Sequence, residues 1–155
     1  MNAYLWLKWL HILSSVLLVG VGFGSAFYLY FIHRTRNVAA IAEVSRLVIR
    51  ADYWFTTPAV IVQPATGAAM MYLGGYGFTA PWLLATYALF IVAGASWLPV
   101  VRLQIQMGKM ARTAFDHQTD LPPRYWRYAK IWERLGMFAF PATLVIYGLM
   151  VFKPS

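Results

Sequence analysis

Two long stretches of this chain contain no Asp, Glu, Lys or Arg. Residues 9–32 form a run of 24, and residues 53–101 form a run of 49. A helix needs about 20 mostly apolar residues to cross the hydrocarbon core of a bilayer. The first run is therefore long enough for one span, and the second for two spans with a turn between them. These runs favour a helical membrane protein.

The composition agrees with this interpretation. The 155 residues are 61% hydrophobic and only 12% charged, whereas soluble domains usually carry about 25% charged residues. The length suits a single domain, residues 1–155. Cysteine is absent, which excludes disulfides, thiolate metal sites and cysteine-based catalysis.

The sequence predicts an all-α, polytopic fold with four transmembrane helices, at about residues 5–33, 53–74, 81–103 and 131–152. The segment "GGYGFTAP" separates the second helix from the third, because Gly and Pro interrupt helices and Pro81 suits a helix start. The two basic stretches between spans are expected to be helical at the membrane surface. "TDLPPRYW" should break the second of them.

The basic residues orient the predicted spans. Eleven of the thirteen lie in the stretches after the first and third spans: Arg34, Arg36, Arg46, Arg50, Arg102, Lys109, Arg112, Arg124, Arg127, Lys130 and Arg134. Lys8 and Lys153 lie on the opposite side. The positive-inside rule then places both termini outside a bacterial inner membrane. The net charge of +8 follows from this topology, and no nucleic-acid partner is expected.

The stretch "KWLHILSS", residues 8–15, places His11 one turn beyond Lys8, just inside the outer leaflet. Ionisable residues at such depths are candidates for function. One interpretation is a histidine that is hydrogen-bonded to a neighbouring helix. A second is a cofactor ligand, above all to haem iron, and a third is a role in proton relay or metal transport.

A haem bound by His11 would need a second ligand at the same depth, or none. Met70 and Met71 near the outer end of the second helix have the right height, and His/Met ligation raises the reduction potential of haem. The same two side chains could instead serve packing alone. His33 is 22 residues from His11, about 33 Å along a helix, so the two histidines of one protomer cannot bind the same haem.

Polar residues of the second helix and its start have structural interpretations. Pro58 and Pro64 interrupt its hydrogen bonds, and Gln63 lies near the second break. Asp52 is expected to cap this helix or to pair with an arginine. Because no acidic residue lies at mid-membrane, ion-coupled transport is disfavoured.

Several motifs resemble one known family over nearly the whole chain: "YLWLKWLHIL", "FTTPAVIVQPATG", "APWLL", "WLPVVRLQIQM" and "PPRYWRYAKIW". The family is the bacterial integral-membrane family called domain of unknown function 2269. More distantly, "LKWLHI" and the final "KP" are similar to haem-containing membrane protoporphyrinogen IX oxidases and to copper-resistance D-type membrane proteins. The resemblance to the oxidases implies that His11 is a haem b ligand. Their third-helix lysine corresponds to Thr86 here, so the oxidase activity is not carried over.

Three functions are therefore weighed. The leading hypothesis is a small haem-binding redox or electron-transfer protein, with His11 as the iron ligand and Met70 or Met71 as the weaker candidates opposite it. The alternative is a non-catalytic accessory or assembly subunit of a larger membrane complex. Copper handling, suggested by seven methionines, is a third. The expected partners are the lipid bilayer and either further copies of the chain or another membrane protein.

Overall fold

The computed structural model describes residues 2–77 and 79–154 as a set of five α-helices. They are α1 (Ala3–Thr35), α2 (Val38–Ala51), α3 (Thr57–Gly74), α4 (Pro81–Asp116) and α5 (Pro123–Phe152), with a π-helical turn (Asp52–Thr56) between α2 and α3. No strand occurs in these residues. The expectation of an all-α fold is confirmed.

Three helices are long and apolar enough to cross a membrane: α1, α4 and α5. The shorter α3 has 18 residues and contains Gln63 and Pro64, and it is not among the three. A helical membrane protein is therefore supported, while the total of four spans stays a prediction.

The second basic stretch is helical and is interrupted near the start of residues 119–126, as expected, but the extent of its helices differs from the prediction. α4 continues through the basic residues to Asp116, and α5 begins at Pro123 instead of residue 131. These residues therefore extend two long helices and do not form a separate surface helix. The predicted end at residue 103 was placed at the first charge, but a charge does not stop a helix. α4 ends only at Asp116, where the chain turns with Gln118 at a φ of 54°. Pro122 and Pro123 then fix the backbone at the start of α5.

Two helix pairs make up the body of the fold. α1 packs against α3, and α4 packs against α5. α2 lies across α4 and α1 and joins the two pairs at one end. The core is concentrated at this end, where Leu29, Ile41, Met107 and Tyr125 are fully buried. We call it the basic end, because the arginines beside α2 lie there.

The opposite end, called here the terminal end, holds both chain termini and the α3–α4 loop. The Nζ atom of Lys153 lies 5.1 Å from the ring centre of Tyr76 and 5.5 Å from that of Trp82. Gly75, with φ of 66°, ends α3 in the left-handed conformation that glycine adopts readily. This turn brings the chain back towards the start of α4.

The two pairs touch along one side only. Phe23 of α1 stacks on Phe140 of α5 with ring centres 4.4 Å apart, and the Tyr147 hydroxyl donates to the Ser15 carbonyl at 3.1 Å. On the other side, the described residues of α3 and α4 are not packed along their lengths. A cleft therefore lies between the pairs.

Candidate functional site

The cleft has a volume of about 1190 Å³ and is lined by α1, α3, α4 and α5. It extends from Tyr4 and Lys8 at the terminal end to Asp52 and Gln104 at the basic end. Small-molecule sites usually measure about 300–1,000 Å³. The cleft is therefore large enough for a cofactor or a lipid.

His11 lies on the wall of this cleft and contacts α3 through both ring nitrogens. Its Nδ1 is 2.8 Å from Thr66 Oγ1, and its Nε2 is 3.1 Å from Gln63 Nε2. The Ser14 hydroxyl in turn donates to Gln63 Oε1. These four side chains form one polar group between α1 and α3.

With the Gln63 amide in this orientation, one arrangement of protons satisfies the group. The Thr66 hydroxyl donates to the Val62 carbonyl at 2.7 Å, so its oxygen accepts from His11 Nδ1–H. The Gln63 amide then donates to the lone pair of His11 Nε2. His11 is neutral in this arrangement, with its proton on Nδ1.

Helical spacing explains how these residues meet. His11 and Ser14 are three residues apart on α1, and Gln63 and Thr66 are three apart on α3, so each pair shares one face. A Cβ atom added to Gly67 would lie 3.3 Å from His11 Cε1. The missing side chain at Gly67 lets α3 approach the imidazole, as is common between membrane helices.

The predicted partners of His11 lie on the same cleft. Met70 and Met71 both line it; Met70 is half-buried and Met71 is buried. Thr86 is also a lining residue, and its hydroxyl donates to the Trp82 carbonyl at 2.8 Å. The structure thus brings His11, Met70, Met71 and Thr86 to one cavity.

His33 and His117 lie elsewhere. His117 is exposed in the turn after α4. His33 is buried at the basic end, where its Nε2 is 2.8 Å from the Tyr125 hydroxyl. Trp126 and Trp132 surround the ring edge-on. This histidine belongs to the core and not to the cleft.

Asp52 has a different environment from the expected one. It does not cap a helix, because the backbone continues through the π-helical turn, and its Oδ1 accepts from Thr56 Oγ1 at 2.8 Å. Only 6% of Asp52 is exposed. The ion pairs of the described residues join Arg46 to Glu43 and Arg112 to Asp116, so Asp52 has no arginine partner there.

A sequence signal for the Asp52 site exists. Pro58 lacks the N–H of a regular helix and its ring clashes with the carbonyl four residues earlier. The chain widens to a π-helical turn just before this proline, with the Thr57 N–H donating to the Asp52 carbonyl. π-helical turns occur frequently at functional sites. The motif "DYWFTTP" therefore fits one continuous helix with a bulge better than a helix start. In such a helix Asp52 is an interior residue of the helix and not its cap.

The fold and the apolar helices define an integral membrane protein with a largely apolar cleft between two helix pairs. Residues 5–154 match the family described as "Predicted integral membrane protein (DUF2269)". The chain belongs to this family, as the motifs indicated. No curated protein and no solved structure matches it. Within the described residues, no group of three or more His, Cys, Asp or Glu side chains could hold a metal ion.

Proposed function

We propose that the cleft binds haem b through His11 and that the protein serves redox or electron transfer in the bacterial inner membrane. The observation that carries the proposal is the anchoring of His11 Nδ1 by Thr66 at 2.8 Å on the wall of a cleft of about 1190 Å³. Histidines that bind metals usually donate their other ring N–H to a fixed acceptor. Thr66 supplies this acceptor.

The other ring nitrogen decides whether a haem fits. The lone pair of His11 Nε2 is used by the Gln63 amide, and both residues line the cleft. A ligand that takes this lone pair must displace one flexible side chain, while the backbone of α1 and α3 stays in place. His11 therefore suits the role of a haem ligand: Thr66 already orients its Nδ1, and its Nε2 would bind the iron.

The cleft also offers partners for the other parts of the haem. Met70 or Met71 would be the second ligand, and Lys8 and Lys153 are lining cations at the terminal end that suit carboxylates such as propionates. Bound haem would supply one-electron chemistry. The protein would supply the ligand, the low-dielectric cleft and its access from the membrane.

The topology is proposed together with this function. Four spans, with α3 as the fourth, and both termini outside would place His11 towards the outer leaflet. The distribution of the basic residues supports this orientation. α2, at the basic end, would lie at the cytoplasmic surface.

The alternative function is that of an accessory or assembly subunit. It is supported by exposed apolar side chains on α5, among them Met137 and Phe138, which are 70% and 79% exposed. Such a surface suits a neighbouring membrane protein or another copy of the chain as well as lipid. In that case the His11 group would only hold α1 to α3.

Visible spectra of the purified protein test the proposal. The chain is expressed with ample haem, extracted in mild detergent, and measured oxidised and reduced as wild type, His11→Ala and His117→Ala. We expect a Soret band that His11→Ala loses and that the exposed control His117→Ala keeps. Absence of the band from the wild type, or its persistence in His11→Ala, would contradict haem binding through His11 and favour the accessory role.

Two further variants examine the ligand set. Gln63→Ala removes the competing donor from Nε2, so haem should bind at least as tightly as in the wild type. Met70→Leu and Met71→Leu keep the side-chain volume and remove the sulfur. A change of the reduced spectrum in one of them would identify the second ligand, and no change in either would indicate five-coordinate iron.

A further inference from the structure

The basic end of the cleft contains a buried carboxylate without a cation beside it. Asp52 is 6% exposed and lines the cleft, and no described Lys, Arg or His forms an ion pair with it. Burial raises the pKa of Asp52 above its usual value, and hydrogen bonds from Thr56 and Gln104 offset only part of this rise. Buried charges are normally paired, so the site lacks a positive partner.

A second buried group at the same place also lacks a partner. The Gln104 side chain is 6% exposed, and no described residue donates to its Oε1. Thr56, 4% exposed, has an oxygen that still has acceptor capacity after donating to Asp52. Gln104 and Thr56 line the cleft together with Asp52. Buried polar atoms normally have a partner.

These three groups share one property: each offers an oxygen that accepts hydrogen bonds. A primary ammonium carries three donors and no acceptor, and it also supplies the missing positive charge. We propose that the basic end of the cleft binds the primary ammonium head group of a membrane phospholipid, held by Asp52, Thr56 and Gln104.

The surroundings match the remaining parts of such a lipid. The side of the cleft between α3 and α4 is not closed by helix packing, which gives acyl chains access from the bilayer. Val60, Phe90 and Val100 are among its apolar lining residues. Lys130 and Arg134 line the cleft together with Glu133. Two cations there suit the phosphate that accompanies an ammonium head group.

The π-helical turn holds the site in place. The Asp52 carbonyl accepts from both the N–H and the hydroxyl of Thr57, the latter at 2.9 Å. The turn thus keeps Asp52 and Thr56 on one buried face, four residues apart, opposite Gln104 of α4.

This site is separate from the proposed haem site. Gln63, the partner of His11, is eleven residues beyond Asp52, or about 16 Å along the helix. Lipid selectivity can therefore be present or absent whether or not haem binds.

The test compares lipids that differ only in the head group. Purified full-length protein in detergent is supplied with phosphatidylethanolamine, its N-methylated forms, phosphatidylcholine or phosphatidylglycerol with the same acyl chains, and bound lipid is counted by native mass spectrometry. We expect phosphatidylethanolamine to bind about tenfold tighter than phosphatidylcholine, with affinity falling at each methylation. Equal binding of the two, or equal binding of phosphatidylglycerol, would overturn the proposal.

Variants assign the selectivity to the site. Asp52→Asn keeps the shape and removes the charge, and it should reduce the preference to within about twofold. Asp116→Asn, at an exposed acid paired with Arg112, is the matched control and should keep the preference. A preference that survives Asp52→Asn would contradict the assignment. The methylation series on the wild type decides the question even if a variant fails to fold.

Discussion

The hydroxyl of Tyr125 and Nε2 of His33 lie 2.8 Å apart, although the two residues are 92 positions apart in the chain. This hydrogen bond joins the last turn of α1 to the first turn of α5. Tyr125 is fully buried and His33 is 5% exposed. The bond therefore closes the basic end between two helices that otherwise make few contacts.

Tyr125→Phe should destabilise the protein by about 1–3 kcal/mol, because it leaves both ring nitrogens of buried His33 without a partner. His33 Nδ1 already has none among the described residues. Unfolding in mixed detergent micelles measures the effect. Tyr128→Phe is the control: its hydroxyl accepts from Arg124 at an exposed position, so it should change stability by less than about 0.5 kcal/mol. Equal effects of the two variants would contradict this account.

Gly108→Val should weaken the contact between α2 and α4. A Cβ atom at Gly108 would lie 2.7 Å from Ile49 Cδ1 and 3.7 Å from Ser45 Cβ. Movement of the Ile49 side chain can make room for a single methyl group, but not for the branched side chain of valine. Overpacking of this kind costs about 1–3 kcal/mol.

The same substitution at Gly136 is the control, because nothing lies within 4 Å of a Cβ atom there. Gly136→Val should cost little. The double variant Gly108→Val with Ile49→Ala should recover part of the loss, by about 0.5 kcal/mol or more. If the stability changes of the two single substitutions simply add up in the double variant, Ile49 is not the residue that clashes with the new side chain.

Ser14→Ala should remove the donor to Gln63 Oε1 and loosen α1 from α3. Hydrogen bonds between membrane helices contribute about 0.6 kcal/mol on average, so a loss of that size is expected. Ser15→Ala is the neighbouring control, since the Ser15 hydroxyl donates to Ile12 of its own helix. A larger loss in the control would refute the proposed role of Ser14.

The tautomer of His11 can be measured directly. ¹⁵N NMR of the imidazole, in protein without haem, should show a neutral ring with the proton on Nδ1, because Thr66 accepts there and Gln63 donates to Nε2. Thr66→Val keeps the shape and removes the acceptor, and the Nε2–H form should then become populated. A spectrum of the Nε2–H tautomer in the wild type would show that the proton arrangement is wrong.

The topology can be tested with single cysteines, because the chain contains none. Asn2→Cys and Gly77→Cys at the terminal end, and His117→Cys at the basic end, are all at exposed positions. In intact cells, a thiol reagent that does not cross the membrane should label positions 2 and 77 but not position 117. Labelling of position 117 alone would show that the protein has the opposite orientation. Labelling of position 2 without position 77 would show that α3 does not cross the membrane.

The sequence was sufficient to predict the bounds of α1, but it was not sufficient to predict the site at Asp52. The predicted range 5–33 differs from α1 by two residues at each end, because an apolar run and its flanking polar residues define a helix locally. Asn2, for example, accepts from the Tyr4 N–H at 3.1 Å. The burial of Asp52 depends on Gln104, which is 52 residues further along the chain. Contacts of this kind depend on how the helices pack together. The periodicity of the sequence does not say which residues of two helices will meet.

His11 is an intermediate case. The sequence placed it just inside the outer leaflet and predicted a bond to a neighbouring helix, a cofactor ligand, or a role in proton relay or metal transport. The structure shows the bond, to Thr66 and Gln63 of α3. The role as a haem ligand stays a prediction. The partner residues could not be chosen from the sequence, because they depend on how α3 packs against α1.

The helical backbone is continuous from Val38 through the π-helical turn to Gly74, so the direction of α3 is coupled to that of α2. α2 in turn packs closely on α4 at Gly108. α3 has 18 residues, a length of about 27 Å, so a tilt of about 5° moves its far end by about 2 Å. The width of the lateral opening between α3 and α4 is thus set by the angle at which α2 rests on α4.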